Sequence, residues 1–447
     1  MVFTILNMSD DENKGDLAIL ETTVWLILKK YQDATINLIN VDYSEQEILT
    51  KKRFKYISSL PVNHLGSFFP GTCYRKKGLL FAVTYGIVNS ILSFWSLLVV
   101  FLLRDDASIL LPKRVKNSFH AIKSADLIIL KGGSYIYSFG RIRDLIFLYR
   151  ILLSFFISIM LNKKIIVLGH SIGPAVGQLS KLLIRYCLNK SIKIVTREEL
   201  SYKFVVEKLK IDKDKIELLP DMAFWHKKDD MDISKKSKKE IEHILDSEGI
   251  TSYELSRLNI GVTVRDWHFP LQKENSKKLF YNYLDSLTRV LNRLANDYQA
   301  NIFIIPHVLS DLPTGEKIVQ RISKACRLYL LKGDYSTSIL RRLYGAMDFL
   351  IATRIHSAIF AFSVDTPVVA IAYEIPKGFG IVGMIEGSNY VIDIAKINED
   401  ILWNVVNSIC IQKEKMRKMI SDKIESINKE IEINFDRLIQ YSLNYNL

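Results

Sequence analysis

The sequence predicts an α/β protein with two domains, each built around a parallel β-sheet. The length of 447 residues exceeds what one domain usually holds. Short Val/Ile/Leu runs without polar alternation are typical of strands buried on both faces, and therefore of parallel sheets. These runs alternate with helical segments in two separate blocks, as βα units with right-handed crossovers do.

The first block starts with a strand at 3–6 and a helix at 17–30. An amphipathic helix is predicted at 145–161, although Arg150 interrupts its apolar face. Gly132-Gly133 and the pair Gly169/Gly173 are interpreted as tight strand-to-helix turns, because glycine tolerates such backbones. The other predicted strands of this block are 36–40, 127–130, 165–168 and 192–195.

The second block repeats the alternation. The segment Ser336-Thr337-Ser338 is expected to cap a helix that runs to about residue 346, and a second helix is predicted at 356–362. The predicted strands are 259–264, 301–305, 349–352 and 367–373. A charged stretch at 226–240 separates the blocks and is interpreted as a solvated linker. The predicted division is a first domain at 1–225, a linker at 226–257, a second domain at 258–400 and a helical tail at 401–447.

An apolar insertion in the first domain, 79–103, contains 25 residues and no charge, with Arg75-Lys76-Lys77 before it and Arg104 after it. Its length alone allows a transmembrane helix. The predicted strands on both sides favour another interpretation, because a single crossing would separate strands of one sheet. We therefore expect a buried or membrane-docked helix pair, broken near Gly86 or Asn89-Ser90, with docking at the membrane interface preferred.

The amino-acid composition limits the classes of binding partner but does not select one of them. The formal net charge of +13 points to nucleic acid, a membrane surface or anionic substrates. The four cysteines form no Cys-x-x-Cys pair and no metal-ligand spacing occurs, which favours a reducing compartment and predicts no metal site. The first residues lack the pattern of a signal peptide, so a cytoplasmic location is expected.

Charged and polar side chains cluster just past the predicted strand ends. Ligands bind at this edge of open α/β sheets, where helix N-termini attract anions. Several arginines there suit carboxylate or phosphate. The residues are Arg197, Arg265, His307, Arg354, His356, Glu374 and Lys377.

An ordered series of motifs runs through both blocks. The motifs are Asn13-Lys14-Gly15-Asp16, Lys131-Gly132-Gly133-Ser134, Gly169-His170-Ser171-Ile172-Gly173-Pro174, Thr196-Arg197-Glu198-Glu199-Leu200-Ser201, Pro220-Asp221, Arg354-Ile355-His356-Ser357 and Tyr373-Glu374-Ile375-Pro376-Lys377. In order and spacing this series resembles the polysaccharide pyruvyl transferase family over about residues 5–385. The family's Arg-Leu-His is Arg354-Ile355-His356 here, and its frequent glycine triplet is Lys131-Gly132-Gly133. The apolar insertion is less typical of the family.

The resemblance implies two Rossmann-like domains facing across a cleft, as in GT-B glycosyltransferases. It also implies transfer of a pyruvyl group from phosphoenolpyruvate, as co-substrate and without another cofactor, to two hydroxyls of a saccharide or lipid-linked oligosaccharide. By the motif match His356 is the expected general acid, with a base or a phosphate ligand as the other roles, and Arg354 stabilises charge. Phosphoenolpyruvate would be held by Arg197, Arg354, Arg265, Lys377 and His307.

The acceptor saccharide is expected on the first domain, at the cytoplasmic face of a membrane. Tyr135 and Trp267 are candidate platforms for a sugar ring. The acceptor-side candidates are Asn13, Asp16, Gly133, Ser134, His170, Ser171 and Glu374.

Three alternatives stay open from sequence. A nucleotide-sugar-dependent glycosyltransferase of the same architecture would also need cations at the second sheet edge. A membrane-associated assembly protein without activity is disfavoured because Arg354 and His356 are both present. A nucleic-acid binder is disfavoured because no nucleic-acid module is visible.

Overall fold

A computed structural model of the chain describes residues 1–50, 52–70, 79–226, 242–250, 253–254, 256–267, 275–323, 326–373, 380–383, 385 and 388–446. The chain divides into two compact units. The first comprises Met1–Asp11, Asp16–Met222 and Glu430–Leu447, and the second comprises Glu12–Gly15 and Ala223–Lys429. The predicted α/β class with two parallel sheets is confirmed, since each unit contains one.

The first unit contains an eight-stranded sheet in which every pairing is parallel. Its strands run in the order β3-β2-β1-β4-β6-β7-β8, and β5 pairs with β6 outside this path. Because β1, β4 and β6 are almost entirely buried, their apolar runs satisfy both faces of the sheet. The strands are β1 (Val2–Met8), β2 (Thr35–Asn40), β3 (Asn63–Leu65), β4 (Leu127–Leu130), β5 (Gly133–Ser138), β6 (Ile165–Ala175), β7 (Lys193–Thr196) and β8 (Ile216–Leu218).

Helices cover this sheet, and a continuous apolar core lies beneath them. Phe119, Leu148 and Ile184 from three of these helices are each fully buried in it. The helices are α1 (Lys14–Lys30), α2 (Glu45–Thr50), α3 (Leu79–Leu103), α4 (Lys113–Ser124), α5 (Ile142–Met160), α6 (Gln178–Lys190) and α7 (Glu199–Lys203).

The second unit contains a six-stranded parallel sheet in the order β11-β10-β9-β12-β13-β14. Its strands are β9 (Asn259–Thr263), β10 (Asn301–Ile304), β11 (Arg327–Leu330), β12 (Phe349–Ala352), β13 (Val368–Ala372) and β14 (Val391–Asp393). Its helices are α8 (Ser276–Asp297), α9 (Leu312–Val319), α10 (Thr337–Gly345) and α11 (Ile355–Phe362). The predicted cap lies in the segment Ser336-Thr337-Ser338, and the structure assigns it to Ser336, because the Ser336 Oγ accepts the Ile339 N–H at 3.2 Å.

A final helix of 46 residues, α12 (Glu399–Asn444), begins in the second unit and ends in the first. Within the second unit Lys413 forms an ion pair with Asp348. Within the first unit Arg437 Nη2 lies 2.7 Å from Glu217 Oε2, an exposed bridge worth little by itself. Buried Leu438 and Ile439 supply the apolar contact that holds this end.

Three local expectations were wrong. The apolar insertion is one unbroken helix, α3, because the roughly 1 kcal/mol that a glycine costs a helix does not suffice to break this one at Gly86. The Ser90 hydroxyl donates to the Gly86 carbonyl within the helix. β6 does not stop at Leu168 but continues to Ala175, with Gly169 at a φ of +60° that suits glycine. Gly133 starts strand β5 instead of a turn into a helix.

Candidate functional site

In the second unit two arginines leave the same sheet edge from adjacent strands. β9 and β12 pair in parallel, with Ala352 opposite Thr263. Arg265 and Arg354 each lie two residues past these partners, so both guanidinium groups start from one edge. The prediction that Arg265 and Arg354 lie at the same edge of the sheet is therefore confirmed.

Arg354 is held by a carboxylate that the sequence did not assign to it. Its Nε and Nη2 atoms donate to the two oxygens of Asp311 at 2.7 and 2.6 Å. The Asp311 side chain is 1% exposed and that of Arg354 18%. Burial opposes the charge on Arg354, but Asp311 outweighs it and raises the pKa of the guanidinium. The group is thus a fixed cation, and its Nη1 atom takes no part in the pair.

The turn that carries His356 is held by hydroxyl contacts. Arg354 is the extended residue before α11, and the Ser357 hydroxyl donates to its carbonyl at 2.6 Å. The Ser357 and Thr263 hydroxyls lie 2.8 Å apart. His356, at the second position of α11, is therefore attached to a rigid turn.

Gly15, which groups with the second unit, lies directly against the His356 ring. A Cβ atom on Gly15 would lie 2.1 Å from both Cγ and Nδ1 of that ring. Only a residue without a side chain allows this approach. Asn13 shapes the same segment, since its Oδ1 accepts the Gly15 N–H at 3.2 Å.

Arg265 lies against two aromatic rings that also contact each other. Its Cζ atom lies 4.1 Å from the centre of the Tyr373 ring and 5.0 Å from that of Trp267. These two rings are themselves 4.5 Å apart, so Trp267 contacts protein instead of presenting an open platform. Among the described residues the Arg265 guanidinium forms no side-chain hydrogen bond or ion pair. Its N–H donors remain available for an anion.

His307 lies buried behind these groups. Its Nδ1 is 3.2 Å from the Tyr344 hydroxyl. Burial lowers the pKa of His307 well below its ordinary value, and the charge of Arg354 adds to this effect. His307 is consequently a neutral hydrogen-bonding group and not the cation that an anion site would use. Its Nε2 is buried without a hydrogen bond inside the described part of the chain.

Two predicted site residues, Glu374 and Lys377, lie outside the described residues. Sequence reasoning gave no role to Lys14, whose side chain is 3% exposed and whose Nζ lies 2.8 Å from Asp334 Oδ1. Lys14 also contributes to the lowered pKa of His307, which places its charge in the same cluster. Lys14 lies in the motif Asn13-Lys14-Gly15-Asp16, and this position could have pointed to a role in the site.

In the first unit Arg197 is enclosed by protein acceptors. Its Nη1 lies 2.5 Å from Asp221 Oδ2, its Nε donates to Ser171 Oγ at 2.8 Å and its Nη2 donates to Ser134 Oγ. Burial opposes its charge, but the carboxylates of Asp221 and Glu198 prevail and raise its pKa. Arg197 therefore connects β5, β6 and the segment after β8, and acts as a positioning residue.

A second buried cation lies at the same edge. Lys131, 1% exposed, has its Nζ 3.1 Å from Asp16 Oδ1 and donates to the Gly132 carbonyl at 2.9 Å. Asp16 keeps 30% of its side chain exposed, so one carboxylate contacts both the lysine and solvent. Gly133 lies beside this pair, because a Cβ there would be 3.4 Å from Asp16 Oδ1.

His170 is fully buried next to these loops. Its ring meets Tyr135 edge-on with centres 4.6 Å apart, so Tyr135 is packed and does not offer a free face. Burial lowers the pKa of His170 to about 3 and keeps it neutral. Its Nε2 makes no hydrogen bond with any described residue. Ser171 donates to Glu198 Oε2 at 3.1 Å.

The sequence missed the carboxylates that hold these cations. Asp221 follows β8 and Glu198 follows β7, so both occur at strand ends, which was the signal that could have found them. No cluster of His, Cys, Asp and Glu in the described portion of the chain suits a metal ion.

Comparison with solved structures shows the fold. A glycosyltransferase from Rickettsia africae has a TM-score of 0.61 at 13% identity, covering 100% of this chain and 99% of that one. The Anabaena protein HepE, solved in complex with UDP, has a TM-score of 0.57 at 11% identity, covering 99% of both chains. The MnaA protein of S. aureus, also solved with UDP, has a TM-score of 0.57 at 12% identity, covering 99% of this chain and 97% of that one. The two-domain architecture is therefore GT-B-like.

A family model matches residues 13–375 and is described as polysaccharide pyruvyl transferase. That range contains both sheet edges described above, including the Arg354-Ile355-His356 turn and the network around Arg197. The match extends over most of the chain. The chain belongs to the polysaccharide pyruvyl transferase family.

Proposed function

We propose that this transferase moves the pyruvyl group of phosphoenolpyruvate onto two hydroxyls of a saccharide and forms a cyclic ketal in cell-surface or exopolysaccharide biosynthesis. One observation carries the proposal. Arg354, fixed by Asp311, and Arg265, held against the Tyr373 ring, leave one sheet edge beside His356. Two guanidinium groups match the phosphate and carboxylate of a three-carbon substrate.

The chemistry requires a proton at the methylene carbon of phosphoenolpyruvate. His356 donates it, which leaves an oxocarbenium-like centre at C2. A sugar hydroxyl attacks C2 and loses its proton, and the C2–O bond to phosphate then breaks. The second hydroxyl attacks C2, loses its proton and closes the ketal, so inorganic phosphate is the second product. Arg354 and Arg265 stabilise the developing phosphate and the carboxylate.

We assign the acceptor saccharide to the first unit. Asp16 presents a partly exposed carboxylate, and the neutral His170 has a buried Nε2 without a protein hydrogen bond. Such groups suit sugar hydroxyls, which both donate and accept hydrogen bonds. Ser134 and Ser171 are oriented by Arg197 at the same edge. The expected location is the cytoplasm, at the inner face of the membrane, where lipid-linked acceptors are assembled.

Calorimetry on the purified chain tests the donor. We expect phosphoenolpyruvate to bind the wild type, to bind Arg354→Ala at least tenfold more weakly and to bind His356→Ala with little change, because the arginine holds charge and the histidine moves a proton. Arg437→Ala, which removes only an exposed ion pair, is the matched control. Binding of UDP without binding of phosphoenolpyruvate would favour a nucleotide-sugar glycosyltransferase instead.

A further inference from the structure

The helix α3 buries polar residues and exposes most of its large apolar side chains, although Val99 and Val100 are buried. Its polar residues Asn89, Ser93 and Ser96 are each at most 1% exposed and face the first unit. Ser93 Oγ lies 3.1 Å from the Tyr149 hydroxyl of α5. The outward face is apolar: Phe94 is 66% exposed, and the other large side chains on it include Ile87, Ile91, Leu98, Phe101 and Leu102. Soluble helices place these two classes the other way round.

The few polar groups on the outward face already have partners. The Ser90 hydroxyl donates to the Gly86 carbonyl at 2.8 Å, and Trp95 Nε1 donates to the Leu110 carbonyl at 3.2 Å. Thr84 and Tyr85 each also have an interaction within the chain. Internal satisfaction of this kind is what a face in hydrocarbon requires, whereas protein interfaces leave polar groups to bond across.

The helix cannot span a bilayer in this fold. The segment Val83–Ile109 is long and apolar enough to do so, and 28% of its most apolar stretch is buried. However, β3 before it and β4 after it belong to the same sheet. A single crossing would put these strands on opposite sides of the bilayer, so a membrane contact of α3 can only be made along the bilayer surface.

The helix α5 beside α3, and the helix α6 beside α5, carry exposed positive charge that matches an anionic membrane surface. α5 packs against α3, and α6 packs against α5. α6 contains three basic residues and no acid, and exposes Leu179 and Leu182, which are 55% and 61% exposed. On α5 Arg143 is 72% exposed, whereas the helix's acid, Asp144, is 7% exposed and paired with Arg141. Both helices thus expose basic side chains near apolar ones, a combination that attracts anionic headgroups.

We propose that the outward face of α3 docks in the plane of a phospholipid bilayer, with the exposed faces of α5 and α6 contacting its anionic headgroups. The docking does not depend on the reaction proposed above. If the acceptor is lipid-linked, it brings the first unit to the surface that carries the acceptor.

Vesicle flotation of the full chain tests this. The probe is vesicles of phosphatidylcholine and phosphatidylglycerol, and the variant is Ile91→Ser/Phe94→Ser/Leu98→Ser. We expect the wild type to float with the vesicles. The partition coefficient of the variant should be lower by about tenfold or more, because three apolar side chains no longer enter the hydrocarbon. All three residues are exposed, so the melting temperature should be unchanged.

A matched control replaces three exposed apolar residues of α12, Ile401→Ser/Ile411→Ser/Ile433→Ser, and should float like the wild type. A blue shift of tryptophan emission on adding vesicles, absent in Trp95→Phe, would support insertion of this face. Failure of the wild type to float would overturn the proposal. Floating of the α3 variant like the wild type would also overturn it, as would a wild-type dimer that the variant breaks without any vesicle binding.

Discussion

Replacing Gly15 by alanine should separate stability from activity. On helix propensity alone, alanine is the better residue by up to about 1 kcal/mol. At this position its Cβ would lie 2.1 Å from two ring atoms of His356 and 2.6 Å from a third. Ordinary carbon contacts are about 3.5–4.0 Å. The ring must therefore move by more than about 1 Å, or the start of α1 must shift by as much.

A displacement of about 1 Å of a group that acts on substrate costs on the order of 100-fold in rate. We expect Gly15→Ala to lose about that factor in kcat/KM, with the larger part in kcat because His356 acts in the chemical step. Phosphate release from phosphoenolpyruvate, measured at varied donor concentration, gives both constants. Thermal unfolding should change little, since the propensity gain and the steric cost oppose each other.

Gly86→Ala is the matched control. Gly86 is also helical, and a Cβ there would meet no atom within 4 Å. This variant should keep full activity and gain up to about 1 kcal/mol in free energy of unfolding. Wild-type kcat/KM in Gly15→Ala, with an unmoved His356 ring, would refute the reasoning.

Three further outcomes follow from the buried charges. Arg354→Lys keeps the charge but loses the two-pronged bond to Asp311, so steady-state phosphate release should fall on the order of 100-fold. Asp221→Asn leaves Arg197 buried without its carboxylate, and chemical denaturation should show a loss of about 3–5 kcal/mol. Because burial lowers the pKa of His170 to about 3, the unfolded chain takes up its proton first as pH falls below about 6.5. The free energy of unfolding should therefore fall below that pH, and His170→Gln should flatten the slope by about 1.4 kcal/mol per pH unit.

Two strands that consist of a short apolar run could be predicted to the residue. β4 and β12 have the predicted bounds, because four consecutive apolar residues followed by glycine or polar residues suit a short strand buried on both faces. β5, with the sequence GSYIYS, was not predicted, because its first residue, Gly133, was interpreted as part of a turn. β3 has three residues, two of them polar, and carries no periodicity to detect.

For the site residues, too, some features could be predicted from the sequence and others could not. The positions of Arg265 and Arg354 past paired strands follow from sheet topology, which sequence alternation predicts. Their partners do not, since Asp311 lies 43 residues before Arg354 and reaches it only in the folded unit. The local sequence also does not show which face of α3 is buried. Its polar residues Asn89 and Ser93 are buried because they contact the Pro70 carbonyl and the Tyr149 hydroxyl, and these partners come from other parts of the chain.

The measurement that tests the central claim most directly is acceptor-dependent release of phosphate from phosphoenolpyruvate. Lipid-linked saccharides are added to the purified chain, and both phosphate and the modified saccharide are followed. The account predicts phosphate only when saccharide is present, one pyruvyl ketal on the saccharide for each phosphate, and loss of both products in Arg354→Ala and His356→Ala. Transfer of a sugar from a nucleotide sugar to the same acceptors, with phosphoenolpyruvate left intact, would contradict it.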